Sequence, residues 1–255
     1  MSKISKNTFK KSSLKQTECL DDLDLALQWI ERHPHCRFGR GAMRQYRDGY
    51  WPAMDADVFR QSVLETLEQA KRKWKVRITS SRLRSVIELI NQKTAHPADQ
   101  WDANPNILVT RNGTLDLEKM ILREHSPNDY ALNALDYVYD PKADCPVFKK
   151  VLRDSFPSDA INFFQEFAGY SLTTSTEYEI AIWLYGPPGA GKSTAVEGLA
   201  AMLGYRAERV SLTDLEHSRF ALWNISGKTL LFATEHPKSS IHSCLLYTSP
   251  SPRDS

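Results

Sequence analysis

Nine consecutive residues carry the clearest chemistry in this chain: Gly186, Pro187, Pro188, Gly189, Ala190, Gly191, Lys192, Ser193 and Thr194. They fit the pattern G-x-x-x-x-G-K-[ST]. Glycines let a backbone turn sharply and bring several N–H groups toward one anion. A helix that starts where such a loop ends adds the partial positive charge of its N-terminus. On this reading residues 186–194 cradle the phosphates of ATP. Lys192 reaches the β- and γ-phosphates, and the Ser193 hydroxyl ligates Mg²⁺.

The flanks supply the context such a loop requires. The run "IAIWLY" (180–185) is short, apolar and rich in β-branched and aromatic residues, which predicts a buried parallel strand. Residues 193–203 predict a helix, with Gly204 placed to end it. Further on, "GKTLLFATEHPKSS" predicts a second buried strand over 229–233, with Glu235 just past its end. A carboxylate there orients or deprotonates an attacking water and helps hold the metal's water shell. Ala233 and Thr234 stand where a second, metal-holding carboxylate is often found, so Glu235 acts alone. Lys192 and Glu235 are the expected catalytic residues, and Ser193 and Glu235 the expected Mg²⁺ contacts.

The elements that must position this loop lie N-terminal to it. The segment "LDDLDLALQWIERH" places Leu23, Leu27 and Ile30 at helical spacing, and Pro34 stops it. Asp48-Gly49 and Asn112-Gly113 each sit between apolar segments, the usual signal of a hairpin turn. "DVFRQSVLETLEQAKRKW" predicts an amphipathic helix with Val58, Val63, Leu64, Leu67 and Ala70 on one face. "SSRLRSVIELINQK" predicts another, capped by Ser80 or Ser81. Two more helices follow, the first opened by Pro146 and the second ended near Gly169. The polar stretch "SLTTSTEYE" (171–179) marks a domain boundary.

The bulk numbers are those of a globular protein: 255 residues, 41% hydrophobic, 25% charged and a net charge of +2. No apolar run of about 18 residues exists, so no membrane span is expected. No charged-then-apolar leader is present, and four scattered cysteines suit a reducing compartment, so a cytoplasmic location is expected. The sequence "HPHC" (33–36) has ligand-type residues, but without a second cluster it reads as a surface turn. Charge is unevenly placed. Residues 1–16 hold five lysines and predict a disordered basic arm, and residues 71–84 hold seven cations around Trp74 without an acid.

The stretch from about Trp51 to Ser243 resembles the phage/plasmid primase–helicase family, allied to poxvirus and satellite-phage replication proteins with a superfamily 3 helicase core. The resemblance rests on "WDANPNILVTRNGTLDL", "HSPNDYALNALDYVYDPKADCPVFKKVL", "INFFQEFAGYSL", the glycine loop and "RFALWNISGKTLLFATE". It implies an α/β chain. A mainly helical domain with small β-hairpins (17–172) precedes an AAA+-like parallel-sheet ATPase core that begins near residue 179. It implies ATP and Mg²⁺ as cofactors, single-stranded or forked DNA as partner, and a homo-oligomeric ring, a hexamer, that unwinds DNA in a bacterial cell. Two other readings use the same loop, a nucleotide kinase and a replicon initiator whose ATPase only switches assembly.

The tail "CLLYTSPSPRD" (244–254) has no hydrophobic period and resembles the conceptual translation of a transposase-based sequencing adapter. Natural coding sequence is therefore expected to stop at about Ser243. In the motor that the resemblance implies, a later strand lies between the loop strand and the Glu235 strand. Without it both strands keep unpaired edges, and the chain as written is expected to bind ATP weakly and unwind nothing.

Overall fold

The computed structural model describes residues 20–211 and 227–233. Glu235, the basic arm and the tail lie outside these residues. The chain divides into two compact units. One takes residues up to Phe38 with Met54–Ala95, and the other takes Gly39–Ala53 with the residues from His96 on. The polar stretch 171–179 falls inside the second unit.

The first unit is three helices. α1 (Asp22–Arg32) opens on a reciprocal cap, with Asp21 and Asp24 each accepting the other's backbone N–H at 2.8 and 3.0 Å. It buries Leu25, Ala26 and Trp29, while Leu23 and Leu27, on the face that the spacing predicts, stay exposed. Trp29 decides the rotation, because it is the largest apolar side chain of the helix and has one N–H to satisfy. Its indole donates to Ser62 Oγ at 2.9 Å, Phe59 meets it edge-on and His33 stacks on it.

α2 (Ala56–Trp74) starts at Asp55, whose carboxylate accepts from the N–H groups of Asp57 and Val58. It buries Phe59, Val63, Thr66, Leu67 and Ala70, and leaves Val58 exposed in its first turn. α3 (Ser80–Thr94) is capped by Thr79, one residue earlier than the sequence suggests, through a bond from the Arg82 N–H. α1 packs against both.

β1 (Cys36–Gly39) and β2 (Ala42–Gln45) follow α1. Pro34 and His35 form the exposed turn, but Cys36 is buried. Burial pushes its thiol up to about 11, with Arg37 pulling the other way. The Asp48-Gly49 turn forms as predicted. Both residues have positive φ, 52° and 88°, and Arg47 and Tyr50 exchange two backbone hydrogen bonds around them.

In the second unit β3 (Ile107–Thr110), β4 (Gly113–Asp116) and β5 (Ile121–Arg123) make an antiparallel meander. Thr110 pairs with Gly113, so the loop residues are Arg111 and Asn112, one position before the predicted pair. Asn112 is held from outside the hairpin, since its side-chain amide exchanges hydrogen bonds with the Tyr139 backbone. α4 (Pro146–Ser155), α5 (Ser158–Tyr170) and α6 (Lys192–Leu203) follow. β6 (Ala207–Arg209) and β7 (Leu230–Phe232) then pair in parallel.

That pair is all of the expected parallel sheet that the described residues contain. The predicted loop strand, 180–185, lies outside every sheet. Its side chains still alternate. Ile180, Ile182 and Leu184 are half-buried, while Trp183 and Tyr185 are 62% and 102% exposed. A central parallel strand is covered on both faces, whereas this segment is covered on one. A core of Leu152, Phe164, Ala195, Leu199, Leu203 and Leu230 joins α4, α5, α6 and β7, with Ile182 against its edge.

Replacing Trp29 with alanine is expected to cost the first unit about 3–5 kcal/mol, read as a lower urea midpoint by far-UV circular dichroism. The thiol chemistry gives a second outcome. At pH 8 Cys36 is un-ionised and buried, and its thiolate forms only as pH rises toward about 11. Iodoacetamide is therefore expected to label the exposed Cys145 in the folded chain and to reach Cys36 only after unfolding, as peptide mapping would show.

Candidate functional site

α6 begins at Lys192 with Gly191 as its N-cap, at φ 76°. Gly189 has φ 77°. Any other L-residue there would be strained by about 1–2 kcal/mol, so these two glycines shape the turn. The Ala190 N–H donates to Pro187 O at 3.3 Å, and the Ala195 N–H to Gly191 O at 3.0 Å. No side chain caps the helix. Its first-turn N–H groups have no partner within the helix.

Lys192 folds back over the loop. Its ammonium donates to Gly186 O at 2.9 Å and Pro187 O at 2.8 Å. Pro187, Pro188 and Gly189 are exposed, as are Ser193 and Thr194, while Gly186, Ala190, Gly191 and Lys192 are half-buried. The structure thus gathers all nine loop residues at one helix end, and Glu235 lies outside the described residues.

α4 holds the loop from behind. A Cβ at Gly191 would lie 2.2 Å from Ser155 Oγ, and one at Gly198 would lie 2.3 Å from the Phe148 ring. Gly191 and Gly198 are seven residues apart on α6, and Phe148 and Ser155 are seven apart on α4. The two helices therefore run antiparallel, and at these two positions the seam leaves no room for a side chain. A groove of about 590 Å³ opens beside the seam, with Phe148, Val151, Thr194 and Glu197 in its wall.

The other end of α6 is tied down by a buried cation. Gly204 ends the helix at φ 53°, and Arg206 follows at 2% exposure. Its guanidinium donates to Asn133 Oδ1 at 2.6 Å and Leu172 O at 2.7 Å. Burial lowers its pKa while the charge of Asp102 raises it. Burial likewise raises the pKa of Asp102, opposed by a bond from the Leu132 N–H and by Arg206, Arg40 and Arg44.

Sequence reasoning does not find Phe148, Ser155, Gly198 or Arg206. Gly198 carries the one available signal, a glycine inside an otherwise regular helix. Nothing local marks the other three.

Residues 27–157, just over half of the chain, match a family described as D5 N terminal like. The chain belongs to the D5 N terminal like family. This domain is the N-terminal region of phage and plasmid primase–helicase proteins of the D5 type. Residues 184–243 match a second family, described only as of unknown function (DUF5906). No curated protein matches the chain. α4 ends the D5-type match and α6 lies in the second, so the seam joins the two matched regions.

The seam predicts a graded result. Gly189→Ala meets open space and pays only for its φ, about 1–2 kcal/mol. Gly191→Ala, at nearly the same φ, also meets Ser155 and is expected to cost more in urea unfolding. Adding Ser155→Ala removes the Oγ contact and is expected to recover part of that excess. Equal costs for the two glycine variants would remove Ser155 from the account.

Proposed function

We propose that this chain is part of an ATP-dependent DNA helicase of the primase–helicase type, with a superfamily 3 core, acting in phage or plasmid replication. One observation carries the proposal. A G-x-x-x-x-G-K-S loop with left-handed glycines opens an uncapped helix, in a chain of the D5 N terminal like family.

In this reading the backbone N–H groups of residues 186–194 and the α6 N-terminus take the triphosphate of ATP. Lys192 exchanges its two loop carbonyls for β- and γ-phosphate oxygens. It is poised for this, because both of its present partners are neutral acceptors and an anionic oxygen binds an ammonium more strongly. Ser193, exposed at the start of the helix, is available to Mg²⁺. Glu235 orients the water that attacks the γ-phosphate. The working form is a ring of identical subunits, a hexamer, around single-stranded or forked DNA in the host cytoplasm. Domain limits of 17–172 and 179–243 belong to the same reading.

Lys192→Ala is the direct test, in a version of the chain that carries the rest of the motor. ATP turnover stimulated by single-stranded DNA is expected to fall about 100-fold or more, while the urea midpoint stays put. Turnover equal to the parent protein would overturn the nucleotide loop and the helicase with it. Strand displacement supports the motor. Phosphoryl transfer to a nucleoside would instead make the protein a kinase, and origin binding without unwinding would make it an initiator.

A further inference from the structure

The loop accounts for none of the charge in residues 71–84. Seven cations stand there without an acid: Lys71, Arg72, Lys73, Lys75, Arg77, Arg82 and Arg84. Arg82 is already committed, 2.7 Å from the Asp22 carboxylate and bonded to Arg77 O. The other six are exposed, and among the described residues none of them is in an ion pair. Elsewhere exposed cations do hold carboxylates, as Arg111 holds Asp136 and Lys150 holds Asp154.

Helix stability explains part of this placement. Lys71, Arg72 and Lys73 sit in the last turn of α2, where cations suit the negative end of the helix dipole. Lys75, Arg77 and Arg84 lie beyond that turn and have no such role. The backbone is built to present them. Lys75 takes a left-handed conformation at φ 59° and ends α2. Val76 is then buried at 5% and Ile78 half-buried, so the alternate residues Lys75 and Arg77 face water from an anchored connector. Trp74 is half-buried, with the Lys73 ammonium 4.3 Å from its ring centroid. One face of its ring is thus occupied, and charge is the dominant feature of the patch.

We propose that the α2–α3 corner of the first unit binds the phosphate backbone of DNA, independently of base sequence, through Lys71, Arg72, Lys73, Lys75, Arg77 and Arg84. The proposal rests on the replication reading for its choice of polyanion.

The test is fluorescence anisotropy of a labelled 30-nucleotide single strand with the 255-residue chain, over a series of salt concentrations. The triple variant Lys75→Gln, Arg77→Gln, Arg84→Gln leaves the last turn of α2 intact. It is expected to bind about tenfold or more weakly at low salt. Its plot of log affinity against log salt should be shallower by about 2, since each lost phosphate contact removes about 0.7 from the slope on single strands. A control neutralising Lys119, Lys142 and Lys150 is expected to bind like the parent chain.

Unchanged affinity and slope in the triple variant would overturn the proposal. So would an equal loss in the control, a loss produced only by deleting residues 1–16, or a parent chain that binds phosphatidylserine vesicles but no DNA. Binding of a fluorescent ATP analogue, compared between the triple variant and Lys192→Ala in a version of the chain that carries the rest of the motor, keeps the two readings apart. The patch can fail while the nucleotide loop stands, and the reverse.

Discussion

The arrangement of the second unit depends on how closely two helices can approach. α4 and α6 pack through the shared core and approach most closely at Gly198 and at the N-cap Gly191, where Phe148 and Ser155 fill the space a side chain would take. Backbone-to-side-chain contact at this distance leaves little room for sliding, because an added methyl at either glycine meets an atom at less than 2.5 Å. The seam thereby sets where α6 starts, and with it where Lys192 and the first-turn N–H groups stand. Gly191 serves twice, as the left-handed N-cap of the helix and as the gap that Ser155 fills. The glycine loop is therefore shaped by the D5-type region next to it as well as by its own residues.

Electrostatics secures the opposite end. Arg206 is a buried cation whose bonds to Asn133 and Leu172 O tie the end of α6 to residues 96–172 of the same unit. Half-buried Asp102 supplies an opposite charge nearby, and Arg206, Arg40 and Arg44 all favour its ionised form. Each is expensive to bury alone, and removing one partner of such a group leaves the other uncompensated. The shifts run in the direction that burial dictates, up for Asp102 and down for Arg206, and the opposite charges restrain both. The exposed cations at the α2–α3 corner obey a different rule. They are exposed, held outward by buried Val76 and half-buried Ile78, and among the described residues matched by no acid.

Local chemistry was legible from residue types wherever the cause is local. Asp48 and Gly49 turn the chain because both tolerate positive φ. Pro146 opens α4 because a first-turn N–H has no helical partner to lose. The loop lies between 186 and 194 and α6 ends at Gly204, as the spacing predicts. Where two local choices compete, the tertiary structure chose. α1 shows Leu23 and Leu27 to water because Trp29 found Ser62 and Phe59 on another chain segment. The β3–β4 turn moved to Arg111 and Asn112, with the Asn112 side chain held by the Tyr139 backbone.

Sequence by itself thus determined the glycine loop, the helix behind it and the one-sided charge of residues 71–84, because each follows from residue type and spacing within a few turns of chain. It could not decide whether 180–185 becomes a strand. A strand is completed by hydrogen bonds from a neighbour distant in sequence, and in the region of the loop the described residues pair only β6 with β7 in parallel. Nor could it show that Gly198 exists for Phe148, that Ser155 stands behind the loop, or that Arg206 is buried while Arg77 is not. Those are facts of approach between segments far apart in the chain, and only packing in three dimensions fixes such distances.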